Sequence, residues 1–193
     1  FDVEQIEVVK GPQSALYGRN AAAGAIIINS KAPSDEFEGK ATFGRGNFNA
    51  TRVTGSVSGP ITSTLKFRAA ASFRDTDGPF SNANTAEKVM RTTPTLGRLR
   101  LLFEPSDKFT ADLKVGFQKV HGGTLAYNAQ VLGLPLGNFP GTAIDANNAD
   151  LPFVSNITGV YDESYWDSAL KLDYDLGFAS LTSITGVNHL DAF

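Results

Sequence analysis

Charged residues in several stretches of this chain recur at even spacings. Lys66, Arg68 and Arg74 form one set, Arg98 and Arg100 a second, Asp112 and Lys114 a third, and Asp167, Lys171, Asp173 and Asp175 a fourth. On an extended strand that spacing puts the side chains on one face, where opposite charges can pair with neighbouring strands. Such a face suits a wet lumen or one filled by a polar partner, and an ordinary solvated face has the same pattern. The residues needed for other chemistry are scarce. There are no cysteines, which excludes disulfide frameworks, zinc thiolates and thiol catalysis. His121 and His189 stand far apart without metal-ligand spacing, and no Ser/His/Asp grouping sits near a strand end. No catalytic set, cofactor or metal site is therefore expected. Aromatic residues gather instead in the long polar stretch 121–163, at Tyr127, Phe139, Phe153 and Tyr161. These could stack on a planar ligand or simply hold the loop together. A formal charge of −3 and a pI near 5.4 argue against a nucleic-acid partner.

The elements that carry those charges read as strands. In Leu65–Arg74 the odd positions are Leu, Phe, Ala, Ala and Phe, and the even ones hold Lys66, Arg68 and Arg74. Phe109–Lys119 places Phe109, Ala111, Leu113, Val115 and Phe117 on one face, and Trp166–Leu176 places Trp166, Leu170, Leu172, Tyr174 and Leu176 on one face. Alternation sustained over ten or so residues is a strong strand signal. Arg52–Ile61 and Thr95–Glu104 repeat it less cleanly, and Lys40–Asn49 and Ala179–His189 are weaker still. About seven strands result. Tight connections at 59–64, 104–108 and 175–178 alternate with the long stretches 75–94 and 121–163, so one end of the sheet should carry turns and the other loops.

Strand length and aromatic placement separate two β architectures. A soluble strand averages about 5–6 residues, whereas one crossing a bilayer in a barrel needs about 9–11. On the apolar face, Phe67, Phe103, Phe109 and Tyr174 fall at the short-turn end, and Phe73, Phe117 and Trp166 at the long-loop end. Phe109 and Phe117 are eight steps apart, about 26 Å along a strand and ~20 Å vertically once tilted. Two aromatic girdles flanking an apolar band describe the wall of an outer-membrane barrel; the competing reading is a soluble β-sandwich whose apolar face is its core.

Before position 39 the pattern differs. Val3–Lys10 is a short mixed run, a strand or a helix end, that leads into the Gly11-Pro12 break. Gln13–Tyr17 has room for one helical turn. Ala25–Ile28 reads as a short strand buried on both faces, and Lys31–Phe37 as a polar linker. The longest apolar run, Ala21–Ile28, is far below the roughly 20 residues of a membrane-spanning helix. Opening on Phe1-Asp2-Val3, without a methionine or signal peptide and inside a hydrophobic pattern, the chain is expected to be an internal fragment.

The string VEQIEVVKGPQSALYGRNAAAGAIIINSKAP resembles the closing part of the plug domain of TonB-dependent outer-membrane receptors. The resemblance rests on Ile6–Pro12, Ser14, Leu16-Tyr17-Gly18, Arg19, Ala21, Gly24 and Lys31-Ala32-Pro33. Departures are few. The family has Asn near Ile27 and Thr at Ser30, and Gln5 stands where a basic residue is common. The resemblance implies an all-β membrane protein: about seven N-terminal strands of a transmembrane antiparallel β-barrel of about 22 strands, preceded by the C-terminal part of an α+β plug domain. The expected division is residues 1–38 for plug end and linker and 39–193 for wall.

It further implies a monomer in the bacterial outer membrane, bathed in its lipid. Such a receptor imports a scarce ligand, a ferric siderophore or other iron complex first, with haem, cobalamin or glycans as alternatives. The inner-membrane TonB complex would pull on a peptide that precedes the plug. Gly11, Pro12, Ser14, Tyr17, Gly18, Arg19 and Gly24 carry the plug motif, and Glu7, Lys10, Arg19 and Lys31 are candidates for plug-to-wall ion pairs; solvation or pairing within the plug is the competing reading. A passive pore or a surface adhesin on a similar barrel is the rival class. It would lack the plug, and residues 3–33 argue against it.

Overall fold

The computed structural model describes residues 1–17, 21–82, 84–123 and 159–192, with backbone alone for Leu16 and Tyr17. The first element is β1 (Val3–Lys10), a strand. A four-residue helix, α1 (Ser14–Tyr17), and β2 (Gly24–Ser30) follow. β1 and β2 pair antiparallel, with Ile6 opposite Ile28 and Val8 opposite Ile26. The intervening turn is closed by Gly11 N–H to the Ala23 carbonyl at 3.1 Å and Gln13 N–H to the Ala21 carbonyl at 2.9 Å. Gly24 opens β2 at φ 148°, and a Cβ there would lie 2.4 Å from the Val9 carbonyl oxygen, so only glycine fits. Within this chain Ala25–Ile28 is only partly covered. Ile26 and Ile28 are 69% and 61% exposed because, with Ile6 and Val8, they form one apolar face that no described residue covers.

The remaining long strands make one sheet: β3 (Glu38–Arg45), β4 (Thr51–Pro60), β5 (Leu65–Asp75), β8 (Thr92–Ser106), β9 (Phe109–Gly123), β10 (Val160–Asp175) and β11 (Ser180–Ala192). They lie side by side in chain order, all antiparallel. Two short strands, β6 (Phe80–Ser81) and β7 (Lys88–Val89), pair inside the connection from β5 to β8. No helix among the described residues is long and apolar enough to cross a membrane, a test that does not bear on strands.

The register carries the alternation across the sheet. Leu101, Leu113 and Leu170 form one row, and Gly97, Phe117 and Trp166 another. Tyr174 meets Phe109 with ring centroids 6.3 Å apart at the short-turn end. Trp166 meets His189 at 6.5 Å towards the other end. Phe37, from the polar linker, joins the lower girdle 6.4 Å from Phe67.

Three features depart from the pattern read in the sequence. β9 and β10 run to 15 and 16 residues, extending the wall past the expected membrane segment. The connection 46–50 lies at the long-loop end yet is tight, because Phe48 and Asn49 take left-handed φ of 59° and 55° and Gly46 N–H reaches the Ala50 carbonyl at 2.9 Å. In β11, Ile184 sits opposite Lys171 and Leu190 opposite Tyr165, so apolar residues occupy the charged face and blur the period.

Burial is inverted relative to a water-soluble protein. Among the described residues the buried hydrophobics are Ala21, Ala70 and Val89, while Ser58, Arg68, Ser72, Thr76, Asn82 and Asp112 are buried polar groups. Leu99, Val115, Phe117, Trp166 and Leu170 stand exposed on the opposite face. A sheet with polar groups covered and a continuous apolar surface uncovered fits a lipid-facing wall, not a sandwich core.

Candidate functional site

The β1–β2 pair approaches the charged face of the sheet by its ends, where two arginines on adjacent strands receive it. Arg68 of β5 and Arg100 of β8 are register partners. Directly opposed cations repel unless each has its own counter-charge. Both have one. Arg68 Nε and Nη2 donate to the Asp2 carboxylate at 2.8 and 2.6 Å, and Nη1 donates to Glu38 Oε1 at 2.8 Å. Arg100 donates to Asp112 through Nε at 2.9 Å and Nη2 at 2.8 Å, and reaches the Ser30 carbonyl through Nη1 at 3.2 Å. The start of β1 and the end of β2 are thus held by neighbouring guanidiniums.

Asp2 is the centre of this contact. Its side chain is 7% exposed and that of Arg68 5%, so the bidentate pair is shielded from water. Asp2 takes φ 51°, a left-handed conformation that aspartate tolerates better than most residues, and its carbonyl accepts from Lys31 N–H at 3.3 Å. Hydrogen bonding from Arg68 holds the Asp2 carboxyl below the usual carboxylate range. Burial opposes that shift, while the charges of Arg68, Arg98 and Lys31 reinforce it. The Arg98 guanidinium lies 5.3 Å from the centre of the Phe1 ring.

The linker is bonded to the wall rather than loose. Ser34 N–H donates to Ser58 Oγ at 2.9 Å, and Ser58, fully buried, donates to the Phe67 carbonyl at 3.0 Å. Lys66 joins Asp35 at 2.6 Å and Glu104 at 3.0 Å. A polar crevice of about 450 Å³ separates the β1–β2 pair from the sheet, lined among others by Glu4, Asn29, Arg98, Lys114 and Asp167.

The candidate ion-pair residues fall unevenly on this geometry. Lys31 lies at the contact and acts on Asp2 through its field. Glu7 accepts a 3.4 Å bond from Asn29 within the two-stranded sheet, and Lys10 is exposed at the end of β1. Gly11, Pro12 and Ser14 lie in the turn and the start of α1, Tyr17 ends α1, and Gly24 opens β2. Gly18 and Arg19 lie outside the described residues, as do Tyr127, Phe139 and Phe153. Tyr161 was expected in a loop but belongs to β10, opposite Gly122, and its hydroxyl donates to Glu163. The pairing of β10 with β9 continues upward through that point and draws the residue into the wall. Asp2 and Glu38 were missed. Their partner is 66 residues from Asp2, and no spacing rule links them.

Comparison with known proteins gives these contacts a setting. Residues 1–25 match the model of the TonB-dependent Receptor Plug Domain. The ferric enterobactin receptor PirA of Pseudomonas aeruginosa is 37% identical over 103 residues, covering 50% of this chain and 14% of that receptor. The ferrioxamine receptor of Yersinia enterocolitica is 28% identical over 121 residues, covering 63% of this chain and 16% of the relative. In fold, the chain follows the crystal structure of the ferric-catecholate import receptor Fiu from E. coli K12 in its open form, with TM-score 0.75 at 20% identity, over 100% of this chain and 29% of Fiu. It follows the ferric yersiniabactin uptake receptor FyuA of Yersinia pestis with TM-score 0.73 at 18% identity, over 99% of this chain and 29% of FyuA. With a plug match at its start and a wall of the receptors' fold, the chain is part of a TonB-dependent receptor.

Proposed function

We propose that the chain works within an importer that carries a ferric siderophore, or a closely related iron complex, across the outer membrane. Residues 1–38 would be plug end and linker and 39–193 the first wall strands, with the boundary at Glu38, which opens β3 and is already paired with Ser58 of β4. The observation that carries this reading is the pair of plug ends held on the charged face by Arg68 and Arg100. An occupied lumen passes cargo only if its filling is moved, so transport must be gated and driven. The outer membrane offers no ATP, and the work would come from the TonB complex acting on a peptide ahead of the plug. Relatives that include enterobactin and ferrioxamine receptors favour iron complexes over cobalamin or glycans. The protein would act as a monomer surrounded by outer-membrane lipid, as a transport receptor without a chemical step. A passive pore has no use for anchored plug strands.

Deleting the full-length gene should abolish energy-dependent uptake of one iron complex from a panel of catecholate and hydroxamate siderophores labelled with radioactive iron. Uptake of every member at the parental rate would overturn the import reading.

A further inference from the structure

Three of the cations that meet plug and linker share one arrangement, while Arg98 instead lies against the Phe1 ring. Arg68 divides its donors between Asp2, ahead of β1, and Glu38, the first residue of β3. Arg100 divides its donors between the Ser30 carbonyl at the end of β2 and Asp112 of β9. Lys66 bridges Asp35 of the linker and Glu104 of β8. In each case one partner belongs to the plug or linker and the other is a carboxylate on a wall strand. A guanidinium stripped of its only carboxylate must be rehydrated or left uncompensated, and that is the costly way to break a shielded pair. Here withdrawal of β1 and β2 leaves Arg68, Arg100 and Lys66 each with a carboxylate acceptor. The wall carboxylates also flank Arg68 and Arg100, which oppose each other across β5 and β8, and keep the like charges tolerable after the plug side has gone.

We infer that Glu38 is a release residue: it retains Arg68 as Asp2 leaves, so plug displacement is an exchange of partners and not the rupture of a lone ion pair. This rests on the reading that the β1–β2 pair moves during import. Glu38 suits the part, because its side chain is 58% exposed while that of Asp2 is 7% exposed. The wall partner can follow the guanidinium as water enters.

The role sets opposite signs for two neighbouring carboxylates. In the full-length receptor reconstituted in vesicles, the plug is pulled from its N-terminal side with a single-molecule tether. The force at which the β1–β2 pair leaves the wall is recorded, alongside amide exchange of those strands. Asp2→Asn should lower the release force and speed exchange several-fold. Glu38→Gln should raise the force and slow exchange several-fold, because Arg68 then has only the plug carboxylate and nothing to turn to. Glu38→Asp, a shorter carboxylate, should fall between wild type and Glu38→Gln. A Glu38→Gln receptor that releases more easily than wild type, or equally, would overturn the exchange and make Glu38 a plain second anchor or a spectator. The pulling assay uses no siderophore. A panel without any imported iron complex would therefore sink the import reading alone, and a wrong sign at Glu38 would sink the exchange alone.

Discussion

The two faces of the wall are built from the same strands, one residue out of step, and obey opposite rules. On the outer face Leu101, Leu113 and Leu170 make an apolar row with no polar partner to satisfy, between girdles anchored by Phe109 with Tyr174 and by Trp166 with His189. On the inner face Arg68, Arg100 and Asp112 are each committed to a specific acceptor or donor. The outer face is non-directional: any apolar side chain of suitable size serves, since burial in lipid scales with area. The inner face is directional, and one missing partner leaves a shielded charge. The outer face thus tolerates exchange of one apolar side chain for another, whereas the inner face depends on particular partners.

The largest effect should come from breaking the inner face. Arg68→Met in the full-length receptor removes the guanidinium but leaves Asp2 shielded, and should cost about 3–5 kcal/mol of plug-to-wall stability. It is measured as lost amide protection in β1 and β2 with the barrel still intact; unchanged protection would mean the pair is incidental. On the outer face, Leu113→Arg should cost about 2–4 kcal/mol of folding into lipid, read from denaturant titration in vesicles. An unchanged midpoint would mean that Leu113 does not face hydrocarbon. Gly97 gives a smaller, purely steric test of the same face. The Phe117 ring covers it so closely that an added Cβ would fall 2.0 Å from the ring. Gly97→Ala should displace the ring and cost about 1–3 kcal/mol, and Phe117→Ala in the same chain should restore part of it.

The mildest perturbation is pH. Because Arg68 holds the Asp2 carboxyl below its usual range, the contact's contribution is complete above that range and is lost as pH falls through the depressed value. Protection of β1 and β2 should therefore stay flat from neutrality to about pH 4 and drop only below it. Asp2→Asn should erase that drop, and a loss beginning near neutrality would assign the transition to another group.

Much of the wall was legible because alternation is a local property. Leu65–Arg74, Phe109–Lys119 and Trp166–Leu176 each state their own faces, and pairing in chain order needs only short turns. β11 was weak for the same reason, since Ile184 and Leu190 interrupt its period. The plug ending was legible as a motif, whose Gly24 answers to a backbone approach within a few residues. The polar linker was legible, but not its contacts, since Ser34, Asp35 and Phe37 meet Ser58, Lys66 and Phe67 only across the fold.

The sequence by itself thus determined the faces of the strongly alternating strands β5, β9 and β10: apolar on one side, charged on the other, aromatic at the ends. Only the tertiary structure decided which charges matter. On paper Glu7, Lys10, Arg19 and Lys31 stand out, and nothing marks Asp2 or Glu38. Register across β3, β5 and β8, with the left-handed turn at Asp2, brings Asp2 and Glu38 to a single guanidinium. Ion pairing depends on distances of a few ångströms between residues far apart in the chain, and a one-dimensional pattern does not contain those distances.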